Sequence, residues 1–464
     1  MHLSSDDGYF ELECETMDEC DLIKSMELAI QQLQDVIEIA PGMCRILLNR
    51  YNWNVDELLE NYYSSPDLDA EVFLRKARLL PAEHMIVSDG GALEGDCDIC
   101  LEAGQLDGFA CGHTACPECW KGYLNAKIRE GQSEIECMAS DCDLLIDDQK
   151  ILLHITDQRV VDLLRRQQIN SYVEHNSRLR WCPTQGCEKA VKIREFGHGV
   201  VRCMACKNRF CFGCGFEIHE PLDCELLRIW LKKCKDDSET QNWLIANTKD
   251  CPKCGAAIEK NGGCNRMVCK KCNHEFCWSC MQKWDVHGYT IACNKFDDSK
   301  DKDAMNGIQK SRAALRRYLH YFNRFSNHRN SMRLETKLKE AIENKMVYLQ
   351  QHSMSWIEVQ FLEQAVEVLR ECRRTLMYSY GFAYYLTKES NYSLMFEDNQ
   401  SDLEMATEQL SDILERKTEK EDEIIHLKQI IQDKMNYVNR RRLIILEYCR
   451  NGVDSGELEF NVQI

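Results

Sequence analysis

The feature that most constrains this 464-residue chain is its 28 cysteines, many of which stand in pairs separated by two residues between Cys97 and Cys293. The N-terminus shows neither the basic region nor the apolar segment of a secretory signal, so we expect a cytoplasmic protein, with entry into the nucleus left open. Disulfides rarely persist in such a reducing compartment, and a disulfide framework is the weaker alternative. Closely spaced cysteines are then most simply metal ligands that hold short loops.

Of the 28 cysteines, 21 divide with three histidines into three clusters of eight ligands. In the first cluster a C-x-H pair is interleaved between C-x-x-C pairs, which indicates a cross-brace of two tetrahedral zinc sites. In the other two clusters the ligands follow one another in order, four and then four. The sequence therefore predicts six zinc ions, held by Cys97, Cys100, Cys116 and Cys119; Cys111, His113, Cys137 and Cys142; Cys182, Cys187, Cys203 and Cys206; Cys211, Cys214, His219 and Cys224; Cys251, Cys254, Cys269 and Cys272; and Cys277, Cys280, His287 and Cys293.

Cys264 differs from the other cysteines outside these sets. It lies between the two ligand pairs of one zinc site, directly after Gly262 and Gly263. The two glycines suggest an uncrowded approach, and a fixed, accessible thiol suits nucleophilic catalysis. Chemistry alone leaves two interpretations open, a nucleophile or a spare thiol. The remaining cysteines need only be ordinary thiols in helical or tail sequence: Cys14, Cys20, Cys44, Cys234, Cys372 and Cys449.

The overall charge argues against a protein that grips nucleic acid. The formal net charge is -18, whereas a protein that neutralises phosphate backbones is usually basic. An acidic chain suits protein partners, especially basic ones. Apolar runs fall short of the roughly 20 residues that a membrane helix requires, so we expect no membrane partner.

Composition and hydrophobic periodicity predict a multidomain protein, with small loop-rich zinc domains flanked by helical domains. In the C-terminal part we expect four or five helices, at about 305–327, 333–351, 355–386, 400–416 and 419–450. The predicted divisions are an acidic mobile tail at 1–25, a three-helix module at 26–65, a zinc domain at 93–146, a helical connector at 155–180, a second zinc domain at 181–225, a helical linker at 226–248, a third zinc domain at 249–297 and an all-helical domain at 303–452.

Specific motifs connect this organisation to a known family. The interleaved first cluster resembles a RING domain, and the order of three zinc domains resembles the RING-between-RING ubiquitin ligases. The segments NTKDCPKC (247–254), GGCN (262–265) and FCW (276–278) match that family closely. The segments DDSET (236–240) and SWIEVQFL (355–362) are similar to the Ariadne subfamily, of the Ariadne-1 type. The resemblance covers about 26–450.

The resemblance implies a two-step transfer of ubiquitin. The first RING, with Ile99 at the apolar contact position, would bind a ubiquitin-conjugating enzyme charged with ubiquitin. Ubiquitin would pass to the Cys264 thiolate as a thioester, and a lysine of a protein substrate would then attack it. Glu275 matches the acidic residue beside the site.

One residue departs from the family pattern. Relatives usually carry histidine two residues after the catalytic cysteine as a general base, and this chain has Arg266, which cannot accept that proton. Its charge could still lower the pKa of Cys264. His274 is a candidate substitute base, or simply an exposed loop histidine. Two alternatives follow: a ligase-like scaffold that forms no thioester and, least supported, a zinc-rich nucleic-acid adaptor.

The resemblance also assigns the two helical domains. The 26–65 module resembles a ubiquitin-associated (UBA)-like domain, which in Ariadne proteins binds the ubiquitin-like modifier on activated cullin scaffolds. A stabilising appendage is the alternative. The 303–452 region resembles the Ariadne domain, which covers the catalytic domain. Restraint of Cys264 by Leu334, Glu335 and Glu408 is implied, and we expect an autoinhibited resting state.

Overall fold

The computed structural model describes residues 11–64, 70–80, 93–195, 197, 199–236, 248–260, 262–289, 293–297, 307–352, 354–387, 390–416 and 421–462. The chain forms two compact units, one that ends at Phe216 and one that begins at Glu217. Among the helices of these described residues, none combines the length and apolar character needed to cross a membrane.

Seven helices are described in the first unit. The first begins at a capping box, in which Asp18 accepts from the backbone N–H of Asp21 and the Asp21 carboxylate accepts from that of Asp18. Its buried face carries Leu22, Leu33 and Ile37. The helices are α1 (Glu19–Ile37), α2 (Pro41–Arg50), α3 (Val55–Tyr63), α4 (Ala70–Lys76), α5 (Pro117–Arg129), α6 (Asp148–His154) and α7 (Gln158–His175).

Short antiparallel strands frame the zinc loops of the first unit. They form three sheets, in the orders β1-β6-β5, β2-β3-β4 and β7-β8. The strands are β1 (Cys14–Met17), β2 (Leu93–Asp96), β3 (Ala103–Gly108), β4 (Thr114–Ala115), β5 (Leu179–Trp181), β6 (Ala190–Ile193), β7 (Val200–Arg202) and β8 (Arg209–Cys211).

The second unit joins a small zinc domain to long helices. Two antiparallel hairpins, β9–β10 and β11–β12, carry the zinc loops, and Met267, Phe276 and Trp278 form the small apolar core beside them. The elements are α8 (Cys224–Asp236), β9 (Thr248–Asp250), β10 (Ala257–Glu259), β11 (Arg266–Val268), β12 (Glu275–Cys277), α9 (Trp284–His287), α10 (Gly307–His352), α11 (Trp356–Tyr385), α12 (Asn391–Glu415) and α13 (Glu421–Asp454).

The C-terminal helices differ from the prediction in length. The expected break between 327 and 333 is absent from the described helix α10, which runs through that segment without interruption. His328 and Ser331 are buried there in a helical conformation. Helix α12 begins at Asn391 rather than near 400, because Ser390 caps it by accepting from the backbone N–H of Ser393.

Two further predictions need correction. The acidic tail does not extend to residue 25, because β1 pairs with β6 and α1 begins at Glu19. The glutamates of this segment find basic partners, as in the ion pair of Glu13 with Arg194 at 2.6 Å. The predicted linker 226–248 is helical as far as Asp236, residues 237–247 lie outside the described residues, and the chain is a strand at Thr248.

Candidate active site

The predicted zinc ligands are brought together by the fold. Six groups of cysteine and histidine whose ligand atoms lie within 4.8 Å of one another occur among the described residues. Four sets lie within single domains: Cys97, Cys100, Cys116 and Cys119; Cys111, His113, Cys137 and Cys142; Cys182, Cys187, Cys203 and Cys206; and Cys251, Cys254, Cys269 and Cys272. The remaining set has two ligands in each unit, Cys211 and Cys214 in the first and His219 and Cys224 in the second. The spacing of these residues in the sequence supports their assignment to one zinc site.

The last set fits a zinc ion at the level of individual atoms. The Nδ1 of His287 donates to the carbonyl oxygen of Gly288 at 2.8 Å, which fixes the ring. Its Nε2 is buried without a hydrogen-bond partner, as expected of an atom that faces a metal. The thiols of Cys277, Cys280 and Cys293 contact one another. Soft thiolates with an imidazole at such spacing select zinc, and closed four-ligand sites are structural. The prediction of zinc as cofactor is confirmed.

Cys264 lies in the loop that joins β10 to β11. The loop is anchored at its far side by the backbone N–H of Trp278, which donates to the carbonyl oxygen of Asn265 at 2.7 Å. On its near side Lys260 is buried, and its Nζ donates to the side-chain oxygens of Asn265 at 3.2 Å and Ser331 at 2.9 Å. The position of Cys264 is therefore fixed by strands and by polar contacts with helix α10.

The Cys264 thiol is covered rather than accessible. Only 5% of the residue is exposed, and its Sγ lies 3.9 Å from the carbonyl oxygen of Glu408 on helix α12. Burial, followed by the negative charge of Glu408, raises the pKa of the thiol well above its ordinary value of 9.0. The backbone N–H of Arg266 points at the sulfur from 3.4 Å and opposes this shift. In this conformation the thiolate that nucleophilic chemistry requires is disfavoured.

The two glycines before Cys264 have a different role from the one expected. A Cβ on Gly263 would lie 1.9 Å from an Nη of Arg373, and one on Gly262 would lie 2.4 Å from a carboxylate oxygen of Glu415. The interpretation of an uncrowded approach is thus wrong for this conformation. The absence of side chains lets helices α11 and α12 pack directly on the loop backbone.

Carboxylates of helix α12 bind the backbone of the loop. The Oε1 of Glu415 accepts from the N–H groups of Gly263 and Cys264, each at 3.0 Å. The Oε2 of Glu408 accepts from the next N–H, that of Asn265. Glu415 was missed by the sequence analysis, because an acidic residue at the end of a helix carries no signal of its own.

The predicted restraining residues differ in their surroundings. Glu335 is buried and forms an ion pair at 2.9 Å with Arg373, the fully buried residue that packs against Gly263. Glu408 contacts the loop directly, as described above. Leu334 is half-buried on helix α10. Two of the three residues therefore lie in the network around Cys264, and Leu334 lies beside it in the chain.

Arg266 and Glu275 are paired with each other. The Nε and an Nη of Arg266 donate to one oxygen of Glu275, at 3.2 Å and 2.9 Å. Burial raises the pKa of Cys264 in this conformation, and the backbone N–H of Arg266 lowers it, whereas a lowering by the charge of the Arg266 side chain stays a prediction. His274 is half-buried, and its ring stacks on that of Phe276, with centroids 6.2 Å apart.

The first RING presents an exposed apolar loop. Ile99 is 58% exposed, and Leu101, which the sequence analysis did not single out, is 80% exposed. Both side chains follow zinc ligands of the first set, so the metal would hold them at the surface. Exposed large apolar side chains at fixed positions are typical of a contact surface.

Comparison with known proteins places these features in a family context. Four family models match the chain: a UBA-like domain described for "E3 ubiquitin-protein ligase ARIH1" at 24–64, an IBR domain described as a half RING-finger at 162–224, another IBR domain at 246–293 and an Ariadne domain at 316–452. The matched models and the structure confirm the predicted arrangement of a helical module, zinc domains and a helical C-terminal domain.

Relatives match nearly the whole chain. "E3 ubiquitin-protein ligase ari-1.1" of Caenorhabditis elegans is 48% identical, over 96% of this chain and 90% of the relative. "E3 ubiquitin-protein ligase ariadne-1" of Drosophila melanogaster is 42% identical, over 95% and 89%. "E3 ubiquitin-protein ligase ARIH1" of Homo sapiens is 42% identical, over 95% and 80%.

Proposed function

This chain belongs to the Ariadne family of RING-between-RING E3 ubiquitin-protein ligases, and we propose that it carries ubiquitin as a thioester on Cys264 and rests in an autoinhibited state. Membership of the family confirms the predicted resemblance and the predicted enzyme class. It also implies binding of a ubiquitin-conjugating enzyme and of ubiquitin. The thioester and the restraint are the proposed steps.

The observation that carries the proposal is the placement of Cys264 under helix α12. The residue belongs to none of the predicted zinc sets, yet its loop lies between strands β10 and β11, which are flanked by the ligands Cys254 and Cys269 of one predicted zinc set. A thiol that is fixed in place but needed by no metal suits nucleophilic catalysis. The carboxylates of Glu408 and Glu415 then cover the loop that presents it.

The proposed reaction has two transfers. The Cys264 thiolate attacks the C-terminal carbonyl of ubiquitin on the conjugating enzyme, and the cysteine of that enzyme leaves as a thiolate. The amine of a substrate lysine then attacks the new thioester, and the Cys264 thiolate leaves. Zinc supplies no step here, because its sites would be closed by four protein ligands and act by holding the loops.

The closed conformation opposes the first transfer in two ways. Helix α12 occupies the space that the ubiquitin C-terminus needs at the sulfur, which is 3.9 Å from the Glu408 carbonyl oxygen. Burial also raises the pKa of Cys264, so the thiol stays protonated near neutral pH. Activation therefore requires that the C-terminal helices move away from the catalytic loop.

Partners follow from the exposed surfaces and the family. We assign the conjugating enzyme to the loop that exposes Ile99 and Leu101. The UBA-like module is assigned to a modified cullin scaffold, and protein lysines are assigned as acceptors. A cytoplasmic location, with or without entry into the nucleus, is part of the same proposal.

One alternative is favoured by a specific observation. Arg266 stands where relatives usually have a base, and its guanidinium is held by Glu275 at 2.9 Å. A chain that had lost the second transfer could act as a scaffold that binds the conjugating enzyme. That alternative predicts no covalent ubiquitin on Cys264.

The test is the chemical nature of the ubiquitin adduct. Full-length chain with Glu408→Ala, with or without Cys264→Ser, is mixed with activating enzyme, conjugating enzyme and ubiquitin, then run on gels with and without reductant. We expect a reductant-sensitive adduct with Cys264 and a reductant-resistant oxyester with the serine variant. Absence of any adduct from a chain that holds its full zinc content would support the scaffold instead.

A further inference from the structure

Two neighbouring backbone N–H groups of the catalytic loop converge on one point. The N–H groups of Gly263 and Cys264 each lie 3.0 Å from the same oxygen, Oε1 of Glu415. Successive N–H groups that face one point form a small concavity for an anion. One of the two donors belongs to the proposed nucleophile itself, so an anion held there would lie beside the reacting sulfur.

The Glu415 carboxylate in this concavity is held by further hydrogen bonds. Its Oε1 also accepts from Ser411 Oγ at 2.6 Å, and Ser411 Oγ accepts in turn from an Nη of Arg373 at 2.6 Å. Glu415 is the last residue of α12, where the helix dipole disfavours negative charge. The charge therefore gains its stabilisation from the loop N–H groups and from Arg373 rather than from its own helix.

Glu408 makes a different contact. It binds the single N–H of Asn265 through Oε2. Of Glu408 and Glu415, the latter alone has an oxygen at the point where two donors meet, so these two carboxylates have separate roles. Glu408 covers the loop beyond the cysteine, and Glu415 fills the concavity at the cysteine.

We propose that the N–H groups of Gly263 and Cys264 form the oxyanion hole of ubiquitin transfer, and that Glu415 fills it in the closed chain as a stand-in for the oxyanion. The inference rests on the proposed function above, because it requires chemistry at Cys264. Donor distances of about 2.7–3.1 Å to the oxyanion position are typical of such sites. Acyl-transfer enzymes commonly use the N–H of the nucleophile as one donor.

The same hole serves both transfers. In the first, a C–S bond forms from Cys264 Sγ to the ubiquitin carbonyl carbon, and the carbonyl π pair moves to oxygen. The oxyanion collapses, the C=O bond re-forms, and the conjugating enzyme leaves as a thiolate. In the second, a neutral substrate amine adds to the same carbon, its proton passes to solvent, and collapse expels the Cys264 thiolate. The two N–H groups donate to the same carbonyl oxygen each time.

The test removes one N–H donor from a chain whose hole is open. Full-length Glu415→Ala is combined with Gly263→Pro, which lacks the N–H, or with Gly263→Ala, which keeps it and serves as the matched control. Single-turnover transfer of ubiquitin is compared with alkylation of Cys264 by iodoacetamide, which forms no oxyanion. We expect the proline variant to transfer ubiquitin roughly 10²- to 10³-fold more slowly than the alanine variant, with alkylation and zinc content unchanged.

If Gly263→Pro displaces the loop, the rate of Cys264 alkylation will also fall. A second comparison, of variants on helix α12, then tests the proposal. In the otherwise native chain, Glu415→Gln keeps a neutral oxygen acceptor, and Asp412→Asn changes a neighbouring carboxylate that lies near Arg266 instead of the N–H pair. We expect the rate of ubiquitin transfer to be highest for Glu415→Ala, lower for Glu415→Gln and lowest for Asp412→Asn.

Two results would overturn the inference. Equal transfer by the proline and alanine variants would show that the Gly263 N–H is no donor. A Glu415→Ala chain no faster than Asp412→Asn would show that Glu415 does not block the site. In both cases the thioester on Cys264 would stand. A Glu408→Ala chain without any adduct would instead remove the proposed function, and the oxyanion hole with it.

Discussion

At the scale of single residues, Gly263 shows why a loop whose sequence suggests an accessible thiol can be covered in the structure. Its missing side chain suggested access to Cys264, yet the space is filled by Arg373, whose side chain is fully buried. In the structure a guanidinium packs against the glycine. In the open state that we propose, the same missing side chain would let a substrate approach the loop.

This gives a prediction for Gly263→Ala in the full-length chain. The added Cβ would lie 1.9 Å from an Nη of Arg373, and that buried group cannot retreat into solvent, so the closed conformation is destabilised. We expect Cys264 to react faster with iodoacetamide than in the unsubstituted chain, measured by mass spectrometry of its peptide. Gly122→Ala is the control, because a Cβ there meets no atom within 4 Å. Equal rates for both variants would contradict the packing role of Arg373.

Arg266 gives a second prediction at this scale. Its guanidinium holds Glu275 but cannot accept a proton from an incoming amine. In the Glu408→Ala background, Arg266→His should speed discharge of ubiquitin from Cys264 onto free lysine by about tenfold or more. This is less than the roughly 10²- to 10⁴-fold that a well-placed general base contributes. Arg266→Gln also breaks the pair with Glu275 yet supplies no base, so it should discharge as slowly as arginine. Fast discharge in the glutamine variant would show that the pair, not the missing base, limits the reaction.

At the scale of elements, the predicted zinc sites support a very small apolar core in the zinc domain that contains Cys264. The hairpin β11–β12 has only Met267, Phe276 and Trp278 as its buried apolar cluster. Such a cluster is too small to hold its strands without metal. The long helices α10 to α13 bury apolar side chains against one another, as with Leu369 and Leu403, and need no ligand.

Removal of zinc should disrupt the zinc domains and leave the long C-terminal helices largely folded. We expect six zinc ions per chain by elemental analysis, and His287→Ala should lose one, since its free Nε2 faces the site. A chelator should abolish ubiquitin transfer while the helical circular dichroism signal of the C-terminal region largely remains. Full zinc content in the His287→Ala chain would contradict its assignment as a ligand.

The elements also show what sequence could predict. Zinc ligands were predictable because their spacing is local, and the fold brings Cys97 and Cys119 together as expected. The continuity of α10 was not predictable, because His328 and Ser331 are buried by tertiary packing, which one sequence does not reveal. Glu415 was not predictable, because its partners Gly263 and Cys264 lie about 150 positions away in the chain. Contacts of such separation leave no periodic signal in one sequence.

At the scale of the whole molecule, the second unit contains both the loop that carries Cys264 and helices that cover it. Three helices meet the loop: α10 through Ser331, α11 through Arg373 and α12 through Glu408 and Glu415. Hydrogen bonds to charged groups contribute roughly 1.5–3 kcal/mol each to stability, net of the bonds to water that they replace. Loss of one carboxylate should therefore weaken the closed state without unfolding the helices that carry it.

The most direct test is the rate at which full-length chain takes ubiquitin from a charged conjugating enzyme in a single turnover. The unsubstituted chain is compared with Glu335→Ala/Glu408→Ala, and with the same variant carrying Cys264→Ala. We expect the double variant to form the Cys264 adduct at least ~10-fold faster, since about 1.4 kcal/mol corresponds to a factor of ten, and the Cys264→Ala chain to form none. An unsubstituted chain as fast as the double variant, with equal zinc content, would contradict a closed resting state.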